Sequence, residues 1–540
     1  MKSYDAGPTG TPILEETIGA NLERMVARDP DAEALVNLAG NRRWTYRELN
    51  ADVDHVARGL MASGVQRGER VGIWAPNCAE WTMIKFATAK IGAILVTVNP
   101  AFRTHELAYV LNQAGVRTLI AVTAFKTSDY VEMAEAVRPT ARCLKEVVFL
   151  DTGDWDHLRS RAELVTGDDL KTRMTGLDNR EPINIQYTSG TTGFPKGATL
   201  SHRNILNNGF FVTELLGVGP DDRLCIPVPF YHCFGMVMGN LGCVTHGAAM
   251  VIPAPGFDPA STLAAIESER CTAVYGVPTM FISMLGHPGF AGCDLSSLRT
   301  GIMAGSVCPI DVMKRCIDEM SMTDVAIAYG MTETSPVSCQ TLANDDLERR
   351  TATVGRAHPH VQIKIVDPDT GDTVQRGRPG EFCTRGYSVM LGYWHDEAKT
   401  HEVIEDDGWL HSGDLAVMRD DGYCTIVGRL KDMVIRGGEN VSPPEVEAFL
   451  RTHPDIEDAQ VVGVPDETYG EEICAWIQMK PGRRALDVDA VRAFAAGELA
   501  HYKIPRYVRV VDGFPMTVTG KIRKVDLRAE SIKIFGLDRR

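Results

Sequence analysis

The sequence predicts an α/β protein with a smaller α+β part toward its C-terminal end, on three observations. Apolar strand-like runs alternate with amphipathic helical stretches over the first third, and the alternation returns over residues 225–330. Beyond about residue 350 the texture changes to short strands joined by Gly-rich turns. A chain of 540 residues is too long for one core, so about two to four domains are expected.

In the first round, VGIWAP (71–76), AILVTVN (93–99), TLIAVT (118–123) and EVVFLD (146–151) are the expected strands. WTMIKFATAKIG and HELAYVLNQAG, with apolar residues at helical spacing, lie between them. An earlier helix opens at Thr45, where Thr45 and Glu48 have the spacing of a capping box. In the second round LCIPVPF, AAMVIPA, TAVYGV and VAIAYG read as strands. The later β unit is carried by VQIKIVDPDTGD, GEFCTRG and DDGYCTIVG. The last module reads as helices PPEVEAFLRTHP and VDAVRAFAAGEL with strands DAQVVGVP and EICAWIQMK. The segment GRLKDMVIRGGENV (428–441) sets charges and glycines between two units and reads as a hinge. The expected division is a large domain over 1–428, made of two α/β layered subdomains and a small β unit, a hinge over 429–432, and a small α+β domain over 433–540.

Composition narrows the function classes. A formal charge of -15, without any basic stripe, argues against a nucleic-acid partner. The 13 cysteines are odd in number, scattered and without a CxxC, which points to reduced thiols. The N-terminal MKSYDAGPTGTPILEET has no apolar core of a signal peptide and carries acids early, so a cytoplasmic protein is expected. IGAILVTV is far short of the ~20 residues of a membrane span. Oligomeric state is left open.

Residues 187–197 read YTSGTTGFPKG, with three glycines, four Ser or Thr hydroxyls and one lysine. Such a loop suits a phosphate, since Gly lets backbone amides approach an anion and Thr and Ser add donors. It is no P-loop: Lys196 is followed by Gly197, and the flanking INIQY and GATLS look extended on both sides. A loop between two strands is expected.

With this loop the sequence resembles the adenylate-forming superfamily of acyl-CoA synthetases, firefly-type luciferases and peptide-synthetase adenylation domains. PFYHCFG (229–235), YGMTETSP (329–336), GEFCTRG (380–386), GWLHSGDLA (408–416), GRLKDMVIRGGENV and VTGKIRK (518–524) agree with the family's motifs in order, so the likeness covers nearly the whole chain. Within the family it most resembles the medium-chain fatty acyl-CoA synthetases. The resemblance implies a carboxylate attacking the ATP α-phosphate to give an acyl-adenylate and pyrophosphate, then coenzyme A displacing AMP. An aryl-CoA ligase, and an acyl-AMP ligase loading a separate carrier protein, are the alternatives.

Site residues follow from the same resemblance. Thr188, Ser189, Gly190, Thr191, Thr192, Gly193 and Lys196 would hold the β- and γ-phosphates. Glu333 matches the carboxylate associated with magnesium, Thr332 the hydroxyl on the α-phosphate, and Tyr329 the ring stacked on adenine. Gly305 and Ser306 are placed among the nucleotide-contacting residues. Asp414 matches the acceptor for both ribose hydroxyls, and Arg429 the arginine reaching the same ribose. Lys521 is the expected catalytic lysine, bridging carboxylate and α-phosphate; family members carry Arg where Met516 stands. His232 would line the acyl pocket. It and Cys233 are expected at a strand end with side chains on opposite faces, which excludes a Cys–His dyad. Lys431 matches the hinge, and Gly437 and Gly438 the turn beside the pantetheine channel. Gly330 stands where acetate-specific relatives have tryptophan, implying an acyl pocket open on that wall to longer fatty acids.

Overall fold

A computed structural model describes residues 1–188, 195–306, 308–436, 439–496, 498–516 and 522–537, with backbone alone at 439 and 440. It divides into two compact units, one of residues 5–363 and 384–410, the other of residues 1–4, 364–383 and 411–540.

The larger unit holds two big sheets. The seven-stranded sheet runs in the order Gly392–Tyr393, Lys196–Ser201, Pro182–Thr188, Ile94–Thr97, Arg70–Trp74, Val116–Ala121 and Glu146–Phe149. From Pro182–Thr188 onward its neighbours are parallel. The nine-stranded sheet contains Ala249–Ile252, Arg223–Cys225, Ala273–Gly276, Thr300–Ala304 and Asp324–Gly330 side by side and parallel. Both rounds of the predicted alternation therefore become parallel sheets, and the capping box at Thr45 starts the helix Tyr46–Ala62.

Strand period places the cores. Leu95 enters a central core while its neighbours Ile94 and Val96 enter another on the opposite face. In the other sheet Tyr275, Ile302 and Ala326 join that same central core, and Val274, Met303 and Val325 face away from it. The central core is thus shared by both sheets. Helix Ala79–Ile91 lies in it and is buried at every position except Glu80, its Lys85 and Lys90 included.

One predicted strand is shorter than expected. LCIPVPF gives strand only over Arg223–Cys225, because Pro227 and Pro229 have no N–H for the ladder, and the chain instead enters a π-helical stretch at Phe234–Leu241.

The smaller unit contains the long antiparallel pair Ile456–Asp466 and Gly470–Met479, with Tyr507–Val511 parallel to the second. Helices Pro443–Leu450 and Val488–Ala495 appear where expected, and a further helix spans Lys524–Ile534. Cys424–Arg429, within the expected DDGYCTIVG, pairs antiparallel with Leu410–Met418. A 3-10 turn at Leu430–Asp432 follows.

Candidate active site

The phosphate-type loop stands between two strands, as its flanks suggested. Pro182–Thr188 pairs antiparallel with Lys196–Ser201, and the last register pair is Thr188 with Lys196, which closes the base of the loop. Ser201 then caps helix His202–Leu215 by accepting the Asn204 N–H. Around the base, the Tyr109 hydroxyl donates to the Pro195 carbonyl at 3.1 Å, and Gln113 bonds both the Tyr187 hydroxyl and the Trp394 carbonyl.

Glu333 comes to this base from a different sheet. Strand Asp324–Gly330 ends, a 3-10 turn at Thr332–Thr334 follows, and the Glu333 side chain is 8% exposed. Its Oε1 accepts the Tyr393 hydroxyl at 2.9 Å and faces the Thr188 hydroxyl at 3.5 Å. The Met390 N–H fixes its backbone carbonyl. Burial, then the neighbouring carboxylate, pushes the Tyr393 phenol up, so it stays protonated and donates. The Lys196 ammonium lies 4.7 Å from the centre of the Tyr393 ring. Tyr393 therefore joins the loop lysine to the acid, although the sequence analysis did not single it out; the LGYW run (391–394) was its only signal. Tyr393→Phe is expected to lower the rate of the adenylation half-reaction about tenfold at unchanged thermal stability, the worth of one hydrogen bond to a charged group. A variant as fast as wild type removes Tyr393 from the site.

Tyr329 and Gly330 lie at the carboxyl end of their strand, the edge where open α/β sheets take ligands. Gly305 and Ser306 share that edge: Ala304 pairs in parallel with Ala328, and both residues beyond Ala304 are exposed. Thr332 is half-buried, next to Glu333. Thr188, Lys196 and Glu333 are thus brought together, with Tyr329, Gly330, Gly305 and Ser306 on one sheet edge.

His232 and Cys233 do not lie on a strand but at the turn entering the helical stretch, with the His232 ring 4.4 Å from that of Tyr231. The dyad fails for another reason. Cys233 is 3% exposed inside the central core, and burial first, then Glu333, pushes its thiol up, so it is no nucleophile. The Cys233 N–H donates to Gln186 Oε1 at 3.1 Å, which ties this turn to the loop strand.

Gly330 is exposed at its strand end. A Cβ at Gly330 would meet the Pro336 carbonyl oxygen at 1.8 Å and the Thr334 hydroxyl at 3.0 Å. Backbone approaches backbone there, so a side chain at 330 would require one of the two segments to move.

Within the smaller unit, Asp414 and Arg429 are register partners across the antiparallel pair. Arg429 Nε is 2.9 Å from Asp414 Oδ1, the acid 10% and the arginine 63% exposed along their side chains. The Asp414 N–H donates to Ser412 Oγ at 3.1 Å. Lys431 is exposed in the following turn. Ser189, Gly190, Thr191, Thr192, Gly193, Gly437, Gly438 and Lys521 lie outside the described residues. Among the described residues no helix is long and apolar enough to cross a membrane.

Comparison with known proteins gives the family. A family model described as AMP-binding enzyme matches residues 22–394, and one described as AMP-binding enzyme C-terminal domain matches residues 445–521. The chain is 48% identical to YngI of Bacillus subtilis (strain 168), named as an acyl-CoA synthetase, over 97% of this chain and 99% of that one. It is 43% identical to the mitochondrial medium-chain acyl-CoA ligase ACSF2 of Danio rerio, covering 99% of this chain and 91% of the relative. Among solved structures, ATP-bound MatB from Rhodopseudomonas palustris superposes with a TM-score of 0.83 at 28% identity, over 96% of this chain and 99% of that one. The fold and these relatives define an adenylate-forming enzyme. The chain belongs to the AMP-binding enzyme family.

Proposed function

We propose that this chain is an ATP-dependent fatty acid–CoA ligase acting on medium-chain acids, in two half-reactions. The observation that carries the reading is the buried Glu333, held by the Tyr393 hydroxyl against the base of the loop that begins at Thr188. The names of the B. subtilis and zebrafish relatives support the acyl and medium-chain parts, and the ATP-bound neighbour supports the nucleotide.

In the first half-reaction the fatty carboxylate attacks the α-phosphorus, the bond to the bridging oxygen breaks, and pyrophosphate leaves. Negative charge builds on the phosphates, and fixed cations and amides meet it. Thr188 through Gly193 and Lys196 hold the β- and γ-phosphates, and Thr332 donates to the α-phosphate. Glu333 offers the hard oxygen that magnesium takes; the ion, when bound, draws charge from the triphosphate. Tyr329 stacks on adenine, with Gly305 and Ser306 on the same edge. Lys521 bridges the reacting carboxylate and the α-phosphate. In the second half-reaction the CoA thiolate attacks the acyl carbon and AMP leaves. Lys431 serves as the hinge between domains 1–428 and 433–540 for this step, Gly437 and Gly438 face the pantetheine, and His232 lines the acyl site. A cytoplasmic placement belongs to this reading.

Asp414 takes the ribose hydroxyls as a charge-bearing double acceptor, with Arg429 beside it. Asparagine keeps one acceptor, replaces the other by a donor, and drops the charge facing Arg429. Asp414→Asn is accordingly expected to raise KM for ATP about tenfold. An unchanged KM removes Asp414 from the nucleotide site.

ATP–pyrophosphate exchange across straight-chain acids from acetate to dodecanoate and across benzoate, followed by CoA-dependent AMP release, tests the reading. Exchange peaking at medium chain lengths, with thioester formed on free CoA, is the expected result. Exchange confined to aromatic acids, or acyl-adenylate that free CoA does not consume, overturns it.

A further inference from the structure

We propose that Glu381, Cys383 and His411 form a binding site for a thiophilic divalent cation, with zinc the ion its donors suit, and that filling it displaces the segment carrying Asp414. Glu381 and Cys383 are two apart on one strand and share a face; His411 stands on the neighbouring strand. Their donor atoms all lie within 4.8 Å of one another.

His411 Nδ1 is 2.7 Å from Glu381 Oε2 and 3.5 Å from Cys383 Sγ. Thiol and carboxylate both converge on the same ring nitrogen. A nucleophile relay needs two nitrogens in different roles, so a catalytic triad is excluded here. Convergence on one point is what a single ion requires. A tetrahedral zinc, with bonds of about 2.3 Å to sulfur and about 2.0 Å to nitrogen, holds those two ligands about 3.5 Å apart. The Cys–His edge already has that length. A His–carboxylate hydrogen bond accounts for the shorter edge; the thiol adds a third donor on the same nitrogen. The cysteine is fully buried, while the Glu381 and His411 side chains are 11% and 27% exposed, so the pocket has a soft floor and a mouth open to solvent. Binding is proton exchange: the thiol proton, and any proton on Nδ1, pass to water as the ion enters.

The coupling follows from the other carboxylate oxygen. Glu381 Oε1 accepts the Gly413 N–H at 3.0 Å, and Asp414 is the next residue. An ion between Glu381 and His411 widens their edge to about 3.3 Å, which moves the carboxylate that anchors Gly413. The consequence for nucleotide rests on the ribose role proposed for Asp414; the ion site does not.

The test uses the full chain freed of metal, titrated with zinc against a chromophoric chelator at constant magnesium, and with cobalt for its absorption spectrum. One tight equivalent and a thiolate-to-cobalt charge-transfer band are expected. Cys383→Ser and His411→Asn should weaken zinc at least about tenfold, a floor set by losses seen for mere supporting residues. Cys143→Ser, which alters an exposed cysteine, should leave it unchanged. Thermal unfolding of the zinc-free variants checks that each is folded, and Cys383→Ala stands in if the serine variant is not. Zinc binding equal in Cys383→Ser and wild type, or no thiolate band, overturns the site. With zinc bound, AMP affinity should fall about fivefold or more; no change overturns the coupling. If Asp414→Asn also leaves ATP binding untouched, the failure lies in the ribose assignment instead.

Discussion

Lys521→Ala is expected to lower ATP–pyrophosphate exchange about a thousandfold while conversion of a synthetic acyl-adenylate to thioester survives. The asymmetry follows from where charge develops. In the first half-reaction a carboxylate oxygen and the α-phosphate, both anionic, must approach, and a fixed ammonium between them offsets their repulsion and the charge of the transition state. In the second the adenylate already exists, and the leaving AMP needs no cation at the former carboxylate. Lys521→Arg discriminates charge from shape: its planar fork keeps the charge but replaces the single point donor. Partial recovery of exchange in the arginine variant supports electrostatics as the main contribution. Equal loss of both half-reactions in Lys521→Ala would falsify the assignment, since it means the lysine supports the fold or the nucleotide in both steps. Met516, which the resemblance matches to an arginine, is 50% exposed.

The two large sheets were legible because parallel strands, covered on both faces, read as short apolar runs separated by helical spacing. The loop was legible as well, since Gly197 after Lys196 and extended flanks leave no helix start for a P-loop. The stretch 226–233 was not. Its isoleucine, valine and aromatic content resembles a strand, yet its prolines cannot pair, and Gly235 passes so close to Pro229 that a Cβ would sit 2.4 Å from that carbonyl oxygen. Steric closeness of that kind belongs to the fold, not to any local pattern. Tyr393 was missed for a related reason: the acid it binds is 60 positions away in the chain, and a tyrosine in a glycine-aromatic run carries no signal of its partner. Asp414 and Arg429 were recognised by motif alone, and their pairing is a register property of two strands that only the ladder displays.

Gly330→Ala is expected to lower kcat/KM about a hundredfold for every acid from acetate to dodecanoate, without changing the chain-length optimum. A missing side chain can mean an open channel or a backbone contact, and the two make opposite predictions. If Gly330 lined the acyl channel, one methyl would trim the longest acids and spare the short ones, at about 0.8 kcal/mol per methylene lost. In this fold the added Cβ meets the Pro336 carbonyl oxygen at 1.8 Å, a separation no rotamer relieves, because the Cβ direction is set by the backbone. Either strand end or the 334–336 turn must move. Glu333 lies between those points in the 3-10 turn, so its carboxylate moves with them, away from the Tyr393 hydroxyl and the Thr188 side chain. A displacement of about 1 Å in a positioned group costs on the order of a hundredfold in rate, whatever acid is bound. Gly330→Trp then fails in the same uniform way instead of becoming an acetate enzyme. Profiles of kcat/KM against chain length decide the matter: a shift toward acetate or propionate in either variant returns Gly330 to the acyl wall, and a uniform fall with KM for ATP raised alongside places it under Glu333.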